Sequence, residues 1–212
     1  PLALLDGASM NPFKTGATGA VGVDMLAREN ATRVGVIGSG AQARGQLRAT
    51  ATVRELTAVE VYSPTAANRE AFAEEMTETL GVDVTAVESS TAAVADADIV
   101  ITATSASDPV FDGDQLAPGT HVTAMGQYNP NKRELDTTTI EQSTYVPDLR
   151  DRATQDAGSF LHAIDAGVID ESHIHAELGD IVADNAVGRT SDEEITVFDS
   201  GGTAIETVAA AG

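Results

Sequence analysis

The chain of 212 residues contains no cysteine, no tryptophan, three tyrosines, five phenylalanines and only two lysines, Lys14 and Lys132. Without cysteine there is no disulfide, no thiolate nucleophile and no cysteine-ligated zinc or iron–sulfur centre. That absence says nothing about compartment. No run of about 18 apolar residues suggests a membrane span, and no signal-peptide pattern is visible, so a soluble cytoplasmic protein without a membrane partner is the default expectation. Basic residues are scarce, 12 Lys and Arg against 33 Asp and Glu, for a formal net charge of −21. Phosphate backbones are held by clustered Lys and Arg, and none occurs, which argues against nucleic acid.

What is present suffices for an ordinary core, since 42% of residues are apolar. The carboxylates are spread among clear apolar periodicities, unlike those of an acidic tail or a disordered acidic chain. A dense carboxylate surface fits adaptation to high salt, where it keeps the chain hydrated and its self-repulsion is screened. The chain opens with Pro1 and "LALLDG", an apolar run before a turn signal with no initiator methionine. That run reads as a strand in need of neighbours, and the chain as cut from a longer one.

Along the sequence, helix and strand patterns alternate. Residues 15–28 form a helix crowded with small residues, and "RVGVIG" (33–38) a buried strand followed by a helix over 41–53. Strands are expected at 56–63, 82–87, 98–104 and 119–125, with helices at 65–81, closed by Gly81, and at 90–97. This rhythm is α/β, a Rossmann-type doubly wound parallel sheet. Beyond Asp136 it loosens: 143–148 and 194–200 look like strands, 150–167 and 175–184 look helical, and a helix begins at 203.

The strongest local motif is Gly38-Ser39-Gly40-Ala41-Gln42-Ala43, G-x-G-x-x-A, placed between a buried strand and a helix. Gly38 allows the tight turn, Gly40 lets a pyrophosphate approach the backbone, and Ala43 keeps helix and sheet close. The helix N-terminus offers free N–H groups to the phosphates. These residues imply NAD or NADP. At the end of the second strand, where NAD enzymes usually place an acid for the ribose, the sequence reads Tyr62-Ser63-Pro64-Thr65. Ser63 and Thr65, helped by Arg44 or Arg69, can accommodate a 2′-phosphate, which favours NADP; alternatively they cap the next helix. Glu60 lies too early to replace the missing acid.

In such a sheet the reaction occurs beyond the carboxyl ends of the strands. Two loops lie there, "TATSASDPVF" (102–111), which begins with Thr102, Ala103 and Thr104, and "GQYNPNKRELD" (126–136), which carries Tyr128.

"RVGVIGSGAQA", "ADADIVITATSASDPVF", "LAPGTHVTAMG", "NKRELD", "HAELGDIVAD", "GRTSDEEITVFDSGGTAIETVA" and the early "FKTGATGAV" resemble the successive signatures of the ornithine cyclodeaminase/mu-crystallin family. The resemblance covers nearly the whole chain and, with the acidic surface, suggests a haloarchaeal-type member. It implies an NAD(P)-dependent enzyme acting on a small α-amino or α-imino acid: an ornithine cyclodeaminase, an alanine dehydrogenase or a ketimine reductase. A cofactor-binding protein without catalysis is a further alternative. It implies that residues 1–30 are the remnant of a substrate and dimerisation domain with its linking helix. Residues 31–150 are then the dinucleotide-binding domain, and 151–212 its end and the return to the substrate domain, in a full-length homodimer.

By the same resemblance, Lys14 stands where the family usually has an arginine that binds the substrate carboxylate. Lysine can make that ion pair without the bidentate fork. Thr15 beside it caps a helix or touches substrate or cofactor. Thr102, Ala103 and Thr104 fall at the cofactor, and Ser200 and Gly201 in "DSGGT" border the nicotinamide, with Thr203 as a cap. Tyr128 is a departure: deaminating members place an aspartate there, and a phenol is a poor base near neutral pH. Tyr128 either faces the substrate or packs under the loop. His173, His175 and Glu177 have a spacing that can suit a metal, but their segment matches a family stretch that is not a metal site, so none is expected. Arg150 and Arg152 read as solvated helix charges.

Overall fold

The structure, a computed structural model, describes residues 6–211; the strand expected at "LALL" lies outside them. Seven strands form one sheet: β1 (Arg33–Ile37), β2 (Ala58–Tyr62), β3 (Val84–Ala86), β4 (Ile99–Thr102), β5 (His121–Ala124), β6 (Thr144–Pro147) and β7 (Thr196–Asp199). Their order is β3-β2-β1-β4-β5-β7-β6, and every pairing is parallel. The central strands β4, β5 and β7 are buried throughout, as expected where helices cover both faces. The edges are blunted: β3 is three residues long, and Pro147 ends β6. In register, Tyr62, Ile37, Thr102, Ala124 and Asp199 stand side by side at the carboxyl ends. The strand order reverses between β1 and β4, and there the crevice opens.

Helices α1 (Gly7–Leu26), α2 (Ala41–Val53) and α3 (Ala66–Leu80) cover one face, where Val23, Leu47, Phe72 and Met76 pack on Val34, Val59 and Ile101. The other face carries α4 (Ser90–Val94), α5 (Thr137–Glu141), α6 (Arg150–Asp156) and α7 (Gly158–Asp165), with Ile140 and Phe160 against Val122, Tyr145 and Val197. The short α8 (Leu178–Val182) and α9 (Ala204–Ala211) complete the described chain. Among the described residues no helix is long and apolar enough to cross a membrane.

Three helices depart from expectation for identifiable reasons. α1 begins at Gly7, not Thr15, because Asp6 caps it by accepting from the Ala8 N–H at 3.0 Å, and Pro12 is tolerated within its first turns. Thr15 is therefore mid-helix, its hydroxyl 3.3 Å from Asn11 Oδ1, and caps nothing. The helix expected over 150–167 breaks in two at extended Ala157, where the Gly158 N–H donates to the Gln127 carbonyl at 2.9 Å instead of to its own helix. The 126–136 loop presses on that point. The helix at 175–184 shrinks to α8 behind a 3-10 turn at Glu171–His173.

Small residues let α1 lie directly on α2. A Cβ on Gly16 would stand 2.4 Å from the Gly45 carbonyl oxygen, and buried Gln46 donates to the Thr15 carbonyl at 2.9 Å. This contact carries Lys14 to the crevice.

Two ionisable groups are enclosed in adjacent strands. His121 is fully buried, its ring nitrogens 2.9 and 3.0 Å from the Thr196 and Thr123 hydroxyls, and burial holds its pKa down to about 3. Its contribution to stability is complete at neutral pH and is lost as the pH falls from about 6.5 towards that value. Asp199, which accepts a hydrogen bond from the Tyr145 hydroxyl, is pushed up from 3.8 to about 7, first by burial and then by nearby Asp148. Its contribution is complete in acid and is lost as the pH rises through about 7. Between pH 7 and 5 the two effects oppose one another at about 2 kcal/mol each. Thus His121→Gln is expected to become more stable between pH 7 and 5 relative to wild type, and Asp199→Asn less stable. Urea melts at both pH values check this; parallel behaviour of all three proteins would refute it.

Candidate active site

After Ile37 the chain turns at Gly38, whose φ of 115° and N–H bond to the Tyr62 carbonyl (2.8 Å) define the turn. A Cβ here would stand 2.4 Å from the Ala103 carbonyl oxygen, so both backbone and space require glycine. Gly40 is the N-cap of α2, makes no side-chain cap and has nothing within 4 Å of a built Cβ. The first N–H groups of α2 have no partner within the helix, and Ala41 at its start is exposed.

At the end of β2, Ser63 is buried and accepts a 2.9 Å hydrogen bond from the Ser39 hydroxyl. Thr65 is exposed at the N-cap of α3 without a side-chain bond, so neither residue caps the helix through its side chain. Arg69 turns inward, donating to the Ser63 carbonyl at 3.2 Å and pairing with Glu88 at 2.6 Å. Arg44 pairs with Glu75 at 2.7 Å and bonds the Ser39 carbonyl. Glu60 is engaged by Arg33 at 3.1 Å. No carboxylate follows Tyr62 before Ala66.

A cleft of about 470 Å³ opens beside this turn, within the range of small-ligand sites. It brings together Lys14, Gln42, Ala103, Thr104, Tyr128, Ser200 and Gly201, drawn from five separate stretches of chain. Thr102 lies beneath, fully buried. Tyr128 is 54% exposed, not packed under its loop, with the Lys132 ammonium 5.8 Å from its ring centre. Lys14 is largely enclosed and pairs with Glu206 of α9 at 3.2 Å. Two cleft atoms, Ser200 Oγ and Gln42 Oε1, are buried without a partner. Together with the open turn at Gly40, these orphaned groups fit a dinucleotide.

Three carboxylates of this region were not legible as site residues. Glu134 is fully buried and accepts from Thr102 Oγ1 (2.8 Å) and from the N–H groups of Thr104 (2.6 Å), Met125 (3.2 Å) and Gly126 (2.6 Å). Asp148 accepts from the Gly202 and Leu149 N–H groups at 2.5 and 2.8 Å, and burial raises its pKa. Glu206 sits at the far end of "TAIE", which reads as a capping box. Thr203 does receive the Glu206 N–H, at 3.4 Å, but the carboxylate goes to Lys14. Elsewhere, His173 and His175 each place Nε2 2.7 Å from a carbonyl, of Ile140 and Val187 respectively. Arg150 reaches the Ile174 carbonyl at 3.2 Å, and Arg152 pairs with Asp156 at 2.6 Å.

The family model described as ornithine cyclodeaminase/mu-crystallin family matches residues 1–212. The chain belongs to the ornithine cyclodeaminase/mu-crystallin family. Among its relatives in that family, a Delta(1)-pyrroline-2-carboxylate reductase of Bacillus cereus is 38% identical over 206 residues, covering 97% of this chain and 63% of the relative. The alanine dehydrogenase of Archaeoglobus fulgidus is 35% identical, covering 100% of this chain and 64% of that enzyme. Among solved structures, the Thermococcus litoralis Delta(1)-pyrroline-2-carboxylate reductase in complex with NADH and L-proline superposes with a TM-score of 0.98. It is 41% identical, covering 100% of this chain and 65% of that one. The chain thus spans under two thirds of the length of these relatives.

Proposed function

We propose that this protein is an NAD(P)-dependent reductase of a small cyclic α-imino acid of the pyrroline-2-carboxylate type. The observation that carries this reading is the pairing of Lys14 with an exposed phenol, Tyr128, across one cleft beside the Gly38–Gly40 turn. The names of the relatives, reductases foremost, support it over the cyclodeaminase expected first. Gly38, Ser39, Gly40, Ala41 and Gln42 would hold the pyrophosphate, Ser63 and Thr65 the adenosine ribose, and Ala103, Thr104, Ser200 and Gly201 the nicotinamide half. Thr102 acts from beneath through Glu134. When bound, the reduced cofactor supplies hydride to the imine carbon. Lys14, held beside Glu206 at 3.2 Å, binds the α-carboxylate through its ammonium donors. Tyr128 donates a hydrogen bond to the imine nitrogen, which gains a proton as the carbon gains hydride. A phenol does this without acting as the base that deamination requires.

Preference for the phosphorylated cofactor rests on the missing ribose acid. The acidic surface further suggests an enzyme of salty cytoplasm. The open apolar face around Val21, Val182 and Ile205 suits the remainder of a full-length homodimer, consistent with residues 1–30 and 151–212 reaching towards a substrate domain. An archaeal alanine dehydrogenase relative, 34% identical, is described as a dimer with bound NAD.

The deciding assay follows NADPH and NADH absorbance in rising KCl with pyrroline-2-carboxylate, with pyruvate plus ammonia, and with ornithine. Expected is loss of NADPH absorbance with the cyclic imine, faster in molar KCl, and a fall of about a hundredfold or more in Tyr128→Phe, the lower end of what a lost proton donor costs. Proline from ornithine without net cofactor change would select the cyclodeaminase, and pyruvate turnover the dehydrogenase. Tight cofactor binding with no turnover would leave a binding protein.

A further inference from the structure

Glu134 is a carboxylate with four donors and no cation. Three of its partners are backbone N–H groups, which can only donate, so both oxygens serve as acceptors. Thr102 supplies the fourth bond. Among the described residues no Lys, Arg or His lies within ion-pair distance of it. Lys14, the cation that lines the cleft, is directed to Glu206. The charge of Glu134 is felt nearby, contributing to the raised pKa of Asp199. Burial raises the Glu134 pKa, and the hydrogen bonds from Thr104, Gly126 and Thr102 offset only part of that rise; the four donors, with no cation nearby among the described residues, are what mark the group as an acceptor.

Its position is specific. The loop after β5 turns back so that this one side chain ties the end of β4 to the end of β5, fixing Thr104, Met125 and Gly126, which are walls of the cleft. A Cβ on Gly126 would stand 2.5 Å from the Glu134 carboxyl carbon, so backbone and carboxylate are in direct contact. With the adenosine half at the end of β2, the nicotinamide half falls over β4, β5 and β7. That wall therefore carries a fixed negative charge in a low-dielectric setting.

Resting on the cofactor reading above, we propose that Glu134 is a positioning residue whose buried charge acts through the Thr104–Gly126 wall to favour the oxidised, cationic nicotinamide over the neutral reduced one. Hydride donation creates positive charge on the ring, and a preorganised anion stabilises that charge as it develops. The bound reduced cofactor is thereby a stronger hydride donor than it would be in the same site without that charge.

The test is binding rather than turnover, with NADH and NAD⁺ as probes of the full chain, by fluorescence and by competition. Wild type is expected to hold NAD⁺ about as tightly as NADH. Glu134→Gln, which keeps the size and removes the charge, is expected to weaken NAD⁺ about tenfold more than NADH, the scale of one partly screened charge. Thr102→Val, which loosens the clamp and keeps the charge, is expected to weaken both alike. A wild type that prefers NADH by more than about tenfold overturns the proposal even if Glu134→Gln fails to fold, and so does an unchanged ratio in a folded Glu134→Gln protein. If wild type binds neither these nor NADPH and NADP⁺, the cofactor reading itself falls, and this role with it.

Discussion

Lys14→Ala is expected to raise the KM for a pyrroline-2-carboxylate-type substrate by about a hundredfold or more, with a much smaller change in kcat. Two effects act in the same direction. The substrate carboxylate loses its cation, and Glu206, now unpaired and only 16% exposed at its side chain, repels that carboxylate. Removing one member of an enclosed charge pair commonly costs about 2–5 kcal/mol, much of it from the partner left behind. The double variant Lys14→Ala/Glu206→Ala should therefore recover about tenfold of the loss, a share in keeping with that leftover penalty. Lys14→Arg restores a cation and adds a planar fork, and should stay within about tenfold of wild type. Steady-state kinetics on the four proteins decide the matter. An unchanged KM in Lys14→Ala would remove Lys14 from the substrate site.

That Lys14 belongs in the cleft was legible in the sequence only through family resemblance; its ion pair was not. Local patterns carried the sheet well: α2 runs over 41–53 as expected, and β1, β2, β4 and β5 lie within the expected spans. These segments are buried runs bounded by turn residues, so their identity is decided locally. Elements set by distant contacts were harder to read. The break between α6 and α7 depends on the Gln127 carbonyl taking the Gly158 N–H, some 31 residues away in sequence. Glu134 illustrates the same limit within the site. In "NKRELD" it looks like one more surface acid among 33 acidic residues, and nothing local says that it turns inward to bind the ends of two strands. Acids on a strongly acidic chain carry little positional information, whereas the two lysines and the few tyrosines carry much.

The turn at Gly38–Gly40 makes a prediction in which stability and binding move in opposite directions. Gly40 has φ −84° and ψ −175°, ordinary extended backbone that any residue adopts, and a built Cβ meets nothing within 4 Å. Aspartate at this N-cap would bond the free N–H groups of α2 and complement its dipole, so Gly40→Asp should stabilise the cofactor-free protein by about 0.5–1 kcal/mol. The same carboxylate would occupy the donors that a pyrophosphate needs and place a negative charge against it. Affinity for NADH or NADPH should fall by about a hundredfold or more, and the thermal shift produced by added cofactor should disappear, since that shift scales with ligand concentration over Kd. Gly38→Ala is the contrasting variant: with φ at 115° and the Ala103 carbonyl 2.4 Å from the new methyl, it should lower stability before any cofactor is added. Calorimetry with and without cofactor separates the two. A Gly40→Asp protein that melts higher and still binds NADPH as tightly as wild type would mean that the dinucleotide does not sit on this helix, whatever the turn resembles.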